Sequence, residues 1–428
     1  MTVAAPSAPN DHYTIISSDS HAGASHATYR EYLEQAYIED FDAWRNKYKN
    51  PYKDLAPGDD RRLRNWDNEM RNSQQEADGI VGEVVFPNTV PPFFPSFVLF
   101  AGPPPPDEYE HRLAGVRAHN RWLKDFCNEF PERRAGVGQI FLNDIDDAIE
   151  DAIWIKENGL RGGILLPPIP PDVKWVKPLY DPEYDRLWKV IEDLQIPLNA
   201  HGGTGVPDYG KYPVSMLLYI MEASFYSQRP FVQLTLSGVF DRFPRLKFVM
   251  TENGCAWLPG LVAHMDGMLK SIRGGGAVGE IRYTEDERKG QMLASDVLKQ
   301  NVWMGVSQPG MADARTLDFV GRDRFMWGSD YPHDEGTHPH SREAIRSRFH
   351  ELPPDVKHKI LAVNAAKLYD FDLDALAPLA NQVGPTVAEL AEPLRELPEN
   401  PSQGLARGYS KGDNADRVLS DDMDAKAL

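Results

Sequence analysis

From Tyr13 onward, short apolar runs alternate with longer stretches in which apolar residues recur every three or four positions. Runs of ~4–8 residues bounded by Gly, Pro, Asn or Asp suit strands, and the three-and-four spacing suits amphipathic helices. Strands are predicted at Tyr13–Ser18, Gly82–Pro87, Ala135–Leu142, Gly162–Pro167, Ile196–Ala200, Leu246–Thr251, Val302–Val306 and Arg324–Gly328. Among the helices, Asp144–Asn158 takes Asn143 as its N-cap and Gly159 as its C′ glycine. Asp181 before Pro182 opens another, ending near Leu194. Eight strands alternating with helices predict an α/β chain, a (β/α)8 TIM barrel. A doubly wound open sheet has the same alternation, but no GxGxxG follows the first strand.

Two intervals depart from the repeat. About 60 residues separate the first two strands, far more than a crossover of a dozen or so requires, so an N-terminal insertion rich in Tyr, Arg and Asp is expected there. After Asp374 the periodicity fades, and residues 380–428 are rich in Pro, Asn, Ser and charge, with a short helical stretch near Val387–Leu397. The expected division is a flexible N-terminal tail over 1–12, a barrel over 13–373, and a C-terminal tail or partner-embracing arm over 374–428.

Composition narrows the class. The chain has 428 residues, 41% of them hydrophobic, enough for a large buried core. It has 46 basic and 64 acidic residues, a net charge of −18 that repels phosphate backbones and anionic lipid, so neither nucleic acid nor membrane is an expected partner. Cys127 and Cys255 form no CxxC pair. The opening MTVAAPSAPND lacks the segments of a signal peptide, and the expectation is a cytoplasmic protein.

In such a barrel the chemistry lies where strands end. The first expected strand runs into Asp19-Ser20-His21, the fifth into His201-Gly202-Gly203, the sixth into Glu252-Asn253-Gly254, and the eighth into Ser329-Asp330-Tyr331-Pro332-His333. Asp19 and His21, two apart on a strand, share a face. Each residue has a plainer reading: a loop histidine for His201, a helix cap for Asp330, a turn for Glu252. Converging on one barrel mouth, two imidazoles and three carboxylates form a ligand set for a divalent metal of borderline hardness.

The stretches IISSDSH, GLRGGILLPP, YDPEYDRLWKVIEDLQIPLNAHGG, GVFDRFPRLKFVMTENGCAWLP, FMWGSDYPHDEGTHPHS and NAAKLYDFD resemble the amidohydrolase superfamily. The branch is the amidohydrolase-related one, which includes aminocarboxymuconate semialdehyde decarboxylase. The resemblance spans roughly residues 13 to 373 and implies a barrel of the metal-dependent hydrolase type. It places Asp19 and His21 at the first-strand metal motif, His201 at the fifth-strand ligand, and Asp330 at the eighth-strand aspartate that binds metal and handles the proton of the attacking water. Glu252 stands where the family commonly has histidine. At the end of strand four, Leu165-Leu166-Pro167-Pro168 has no lysine to carboxylate, and Lys174 lies well into the next loop. The site is therefore expected to be mononuclear, or bridged by Glu252.

The resemblance leaves three readings. The first is hydrolysis by metal-activated water, or non-oxidative decarboxylation, on a small carboxylate-bearing molecule, with zinc for a mononuclear site. The second is a non-haem monooxygenase with iron or manganese and iron, His333, His338 or His340 completing a second ion. The third is a metal-binding partner of an active paralogue. His201, Glu252 and Asp330 are the expected catalytic residues; Asp19, His21, His201, Glu252, Asp330 and His333 are the expected metal ligands. The loop Asn88–Phe94 reads as an apolar lid or a subunit interface. Trp175 and Tyr209 read as pocket residues. Arg61, Arg62 and Arg64 form either a carboxylate clamp or a solvated helix face. A homo-oligomer, or a hetero-oligomer with a paralogue, is expected.

Overall fold

The computed structural model describes residues 11–48, 60–97, 100–285, 287 and 292–408. Among the described residues ten strands run in chain order: β1 (Ile16–Ala22), β2 (Gly82–Pro87), β3 (Arg134–Gln139), β4 (Gly163–Leu165), β5 (Leu198–His201), β6 (Phe248–Thr251), β7 (Ala277–Val278), β8 (Ile281–Arg282), β9 (Val302–Ser307) and β10 (Phe325–Gly328). Eight of them form one parallel sheet in the order β1-β2-β3-β4-β5-β6-β9-β10, while β7 and β8 make a separate antiparallel ribbon. The sheet curls until its edges meet: Ser20 bridges Tyr331, Asp330 N–H donates to Asp19 O (3.0 Å), and His21 N–H donates to Tyr331 O (2.6 Å). This is the expected (β/α)8 barrel.

Strands buried on both faces read as near-continuous apolar runs, which is why they were legible. Neighbouring residues nevertheless face opposite layers. Val84, Leu165 and Val249 belong to an inner cluster floored by Leu368, Tyr369 and Phe371. Val85, Ile164 and Met250 pack outward, in the layer that holds Leu123, Leu187 and Trp188 from the helices.

β1 breaks this alternation. Ile16 lies in the inner cluster, so strict period two would turn Asp19 and His21 outward. The register shifts between Ser17 and Ser20, and that irregularity moves both side chains to the inside. The strand also begins later than expected, because Tyr13 N–H is taken by Pro385 O (2.9 Å).

Other boundaries need correcting. The helix Ile145–Glu157 is capped by Asp144, whose carboxylate accepts from Asp146 N–H (2.8 Å) and Asp147 N–H (3.2 Å). Asn143 instead donates to Pro104 O (2.8 Å). Residues 374–408 are not a loose tail. Helix Leu373–Val383 is followed by a segment in which Leu390 and Leu405 are buried, Thr386 bridges His12, and Gly404 N–H donates to Gly336 O. The apolar residues of this stretch are too sparse for a periodic signal, yet Leu376, Ala380, Leu390 and Leu405 find cover. Of the helical stretch near Val387–Leu397, one 3-10 turn forms, Glu389–Ala391. Residues 409–428, and 1–10 of the expected N-terminal tail, lie outside the described residues. Among the described residues no helix is long and apolar enough to cross a membrane.

The insertion after β1 supplies helices His26–Tyr32, Ile38–Lys47 and Asn68–Ala77. The first two lie over the Asn88–Phe94 loop: Phe93 packs with Phe41 and Trp44, while Val90 and Phe94 are buried. That loop is therefore covered, leaving little of it for a mobile lid or a subunit contact.

Candidate metal centre

The strand ends bring Asp19, His21, His201 and Asp330 together in full burial. Asp19 Oδ1 lies 3.3 Å from His21 Nε2 and 3.4 Å from His201 Nε2, and Asp330 Oδ1 lies 3.4 Å from His21 Nε2. His21 Nε2 is buried without a hydrogen-bond partner. Donors about 2.0–2.2 Å from a common tetrahedral centre stand ~3.3–3.6 Å apart, and each of these three pairs has that spacing. Among the described residues two groups of donors could hold an ion, Asp19-His21-His201 and His21-Asp330-His333. They share His21, whose Nδ1 faces Pro87 O (3.2 Å). One Nε2 lone pair serves one ion, so the groups overlap on a single site.

The other side chains orient these four. Ser307 Oγ donates to Asp19 Oδ2, and Gln308 Nε2 donates to Asp330 Oδ2 (2.6 Å). His333 uses both nitrogens, Nδ1 on Asp330 Oδ1 (2.7 Å) and Nε2 on Asn88 Oδ1 (3.1 Å). Glu252 stands outside both groups: its Oε2 is 3.5 Å from His201 Nδ1, the ring nitrogen turned away from Asp19. Phe86 packs against His201 and His21 at 4.7 and 5.9 Å between ring centres. Glu252, Gln308 and Asp330 all adopt left-handed backbone, with φ of 55°, 48° and 60°. For residues other than glycine this costs ~1–3 kcal/mol each, and it aims three successive strand ends into the mouth.

Protonation is strongly perturbed. Burial alone would lift the Asp19 carboxyl, but His201 and His21 hold it far below the ordinary carboxylate range. Burial, reinforced by His333, holds His21 below its usual value despite Asp19. His201 is pushed the other way, burial being outweighed by Asp19 and then Glu252, to about 9. At His333 burial is outweighed by Asp330, giving about 10. Burial and then Asp330 raise Glu252 to about 8, although its side chain keeps 28% exposure. Three carboxyls and three imidazoles thus balance charge with shared protons, which a divalent cation would replace.

His338 and His340 do not complete a second ion. His338 Nδ1 pairs with Asp78 Oδ2 (3.0 Å), and His340 Nδ1 accepts from Ser402 N–H (3.1 Å). Arg61 pairs with Asp334 (2.9 Å) on the surface, and Arg64 lends its carbonyl to Arg71 (2.9 Å). Trp175 and Tyr209 do line a cavity of about 490 Å³, bounded by the loops after β2, β4 and β5. Ser307 and Gln308 carry no ligand signal in the sequence, although they end β9 as the acidic residues end their strands.

A family model described as Amidohydrolase matches residues 43–371. The chain belongs to the amidohydrolase family. The class implied by its motifs, a metal-dependent hydrolase or decarboxylase, follows from that membership. Among solved structures, this amidohydrolase resembles a 5-carboxyvanillate decarboxylase from Novosphingobium aromaticivorans with bound manganese and 3-methoxy-4-hydroxy-5-nitrobenzoic acid. The TM-score is 0.63 at 18% identity, covering 84% of this chain and 97% of that one. It also resembles an amidohydrolase from Mycobacterium avium subsp. paratuberculosis, with TM-score 0.62, 17% identity, and coverage of 83% and 98%. A third is a dihydroxybenzoic acid decarboxylase from a Polaromonas species with manganese and 2-nitroresorcinol. There the TM-score is 0.57 at 15% identity, with coverage of 84% and 97%. At these identities the likeness is one of fold, and it lends no support to the monooxygenase alternative.

Proposed function

We propose that this amidohydrolase holds one divalent ion between Asp19, His21, His201 and Asp330 and removes CO₂ from a hydroxylated aromatic acid without an oxidant. The observation that carries the reading is a run of four buried donor atoms whose three neighbouring pairs stand 3.3–3.4 Å apart, the central His21 nitrogen having no hydrogen-bond partner. Two oxygens and two imidazole nitrogens serve zinc and manganese alike; the manganese named in two structural neighbours supports manganese. Such an ion supplies Lewis-acid polarisation of substrate oxygens and lowers the pKa of bound water.

The chain's own groups do the rest. Gln308 and His333 fix the Asp330 carboxylate, and Asn88 fixes His333. The His333 side chain remains 24% exposed at the mouth, so the His333–Asp330 pair offers a proton path between solvent and the buried donors. In decarboxylation that proton replaces CO₂ on the ring carbon. The Gly202 carbonyl orients the His201 ring through Nδ1 (3.1 Å), and the Glu252 carboxylate stands behind the same nitrogen at 3.5 Å. Hydrolysis is the second reading, favoured by the description of the matching family model. There the same pair would take the proton from water and return it to the leaving group.

The test is metal analysis by mass spectrometry, followed by assays of manganese- and zinc-loaded protein on hydroxybenzoates, esters and lactones. Close to one ion per chain with CO₂ release supports the reading. Ester or lactone cleavage without CO₂ release turns it to hydrolysis, and two ions including iron defeat it.

We also propose self-association. Helix Ser215–Leu236 and the residues before it expose Tyr212, Val214, Leu217, Ile220, Met221 and Phe225 by more than half, with no charge between Lys211 and Glu222. This surface is on the order of the ~800 Å² that one partner contributes to a stable complex. The two free, buried cysteines support a cytoplasmic setting.

A further inference from the structure

The cavity of about 490 Å³ begins at Gly203, two residues along the chain from His201. Its walls include Phe100, Pro168, Trp175, Tyr209, Met216 and Tyr219. Phe100, Trp175 and Met216 keep 47%, 45% and 59% exposure, apolar surface that a ligand would withdraw from water. Two wall hydroxyls are already spent: Tyr219 donates to Gly203 O and Tyr209 to the Glu222 carboxylate.

Among the described residues the charged side chains in the lining are Asp172 and Asp208, and no lysine or arginine joins them. Asp172 accepts from Asp208 N–H (3.0 Å), and Asp208 from Gly210 N–H (2.8 Å). An anion entering would meet two carboxylates and no cation. A dry cavity of ~150 Å³ accepts one benzene, so this one has room for about three rings.

We infer that the substrate carries, beyond its metal-bound head, an apolar arm of at least one further ring with no anionic group at its far end. The head rests on the function proposed above; the arm rests on the cavity. Substrate choice then comes from Trp175, Tyr209 and Met216. A single-ring hydroxybenzoate would leave most of the space unfilled.

Two kinds of probe separate arm from head. Calorimetry on metal-free protein uses neutral 4-phenylphenol, which needs only the cavity. Kinetics on manganese-loaded protein compare salicylate, 4-phenylsalicylate and the analogue bearing a distal carboxylate on the second ring. The expected result is binding of 4-phenylphenol and a kcat/KM for 4-phenylsalicylate on the order of 30-fold above salicylate. The distal carboxylate cancels the gain. Trp175→Ala, a half-exposed residue whose truncation spares the core, weakens 4-phenylphenol and lowers the ratio between the long and short acids by roughly fivefold. Absence of 4-phenylphenol binding, or equal kcat/KM for short and long acids, overturns the arm. Binding of 4-phenylphenol without conversion of any salicylate keeps the arm and overturns the decarboxylase reading instead.

Discussion

Glu83 is a single substitution whose cost can be worked from contacts beneath the metal cluster. Its carboxylate receives Arg71 Nε on Oε1 (2.9 Å), Arg71 Nη2 on Oε2 (2.5 Å), Gln75 Nε2 (2.9 Å) and Ser20 Oγ (2.7 Å), and Arg134 Nε lies 3.4 Å away. Arg71 in turn donates to His21 O (2.8 Å), so the ion cluster holds the strand that carries two proposed ligands. Burial would raise the Glu83 carboxyl, but Arg71 and then Arg134 bring it from 4.5 down to about 2. With its side chain only 4% exposed, that depression contributes about 3 kcal/mol of stability. It is fully present above pH 4.5 and is lost as pH falls from 4.5 toward 2. Glu83→Gln removes the countercharge from two buried guanidinium groups, a change that costs about 3–5 kcal/mol. Urea unfolding at pH 7, followed by far-ultraviolet circular dichroism, should show that loss. The variant should also lack this group's share of the acid loss below pH 4.5. A loss under about 1 kcal/mol would refute the reasoning, because it would mean the arginines had reached water or another anion.

The remaining expectations concern the site and the exposed helix. Asp330→Asn should lower turnover by about 10²–10⁴-fold with circular dichroism unchanged; a variant that keeps full activity removes Asp330 from the mechanism. Glu252→Gln should leave the metal count per chain as it is, because Glu252 lies behind His201, and loss of the ion would make it a ligand. Gly328→Ala would place a Cβ 2.8 Å from Asp19 Cβ and 2.9 Å from Ser307 Oγ, and should lower metal affinity and cost about 1–3 kcal/mol of stability. Ile220→Lys with Phe225→Glu should reduce the mass in light scattering to that of one chain; an unchanged mass would locate the interface elsewhere or show that none exists.

Much of the barrel was legible because its strands are buried on both faces and end abruptly in polar residues. Asp19, His21, His201, Glu252 and Asp330 could all be named from that one rule. Its limits are also specific. The inward turn of Asp19 and His21 depends on a register shift between Ser17 and Ser20 that no periodicity reveals. Ser307 and Gln308 end β9 under the same rule, but uncharged side chains carry no ligand signal. Glu252 belongs to the acidic set in sequence, whereas its place on the far nitrogen of His201 follows from backbone at φ 55°. Helices from residues 26–47 cover the Asn88–Phe94 loop, a long-range contact invisible in its own composition. Leu390 and Leu405 are too far apart in sequence to predict a packed segment.

The meeting of β1 and β10 gives the proposed ion a role in assembly. Ser17 and Ser329, 312 residues apart, hydrogen-bond across this seam (2.9 Å), beside the backbone links of Asp19 with Asp330 and of His21 with Tyr331. Two proposed ligands, Asp19 and His21, come from the first strand to be synthesised, and a third, Asp330, follows the last. A growing chain therefore has no complete site until its eighth barrel strand has emerged and closed on the first. An ion bound there would act as a clasp on a finished ring, favouring closed over open barrels by mass action. Where the ion is scarce, the seam would be the first part of the ring to part, leaving the six strands between β1 and β10 paired.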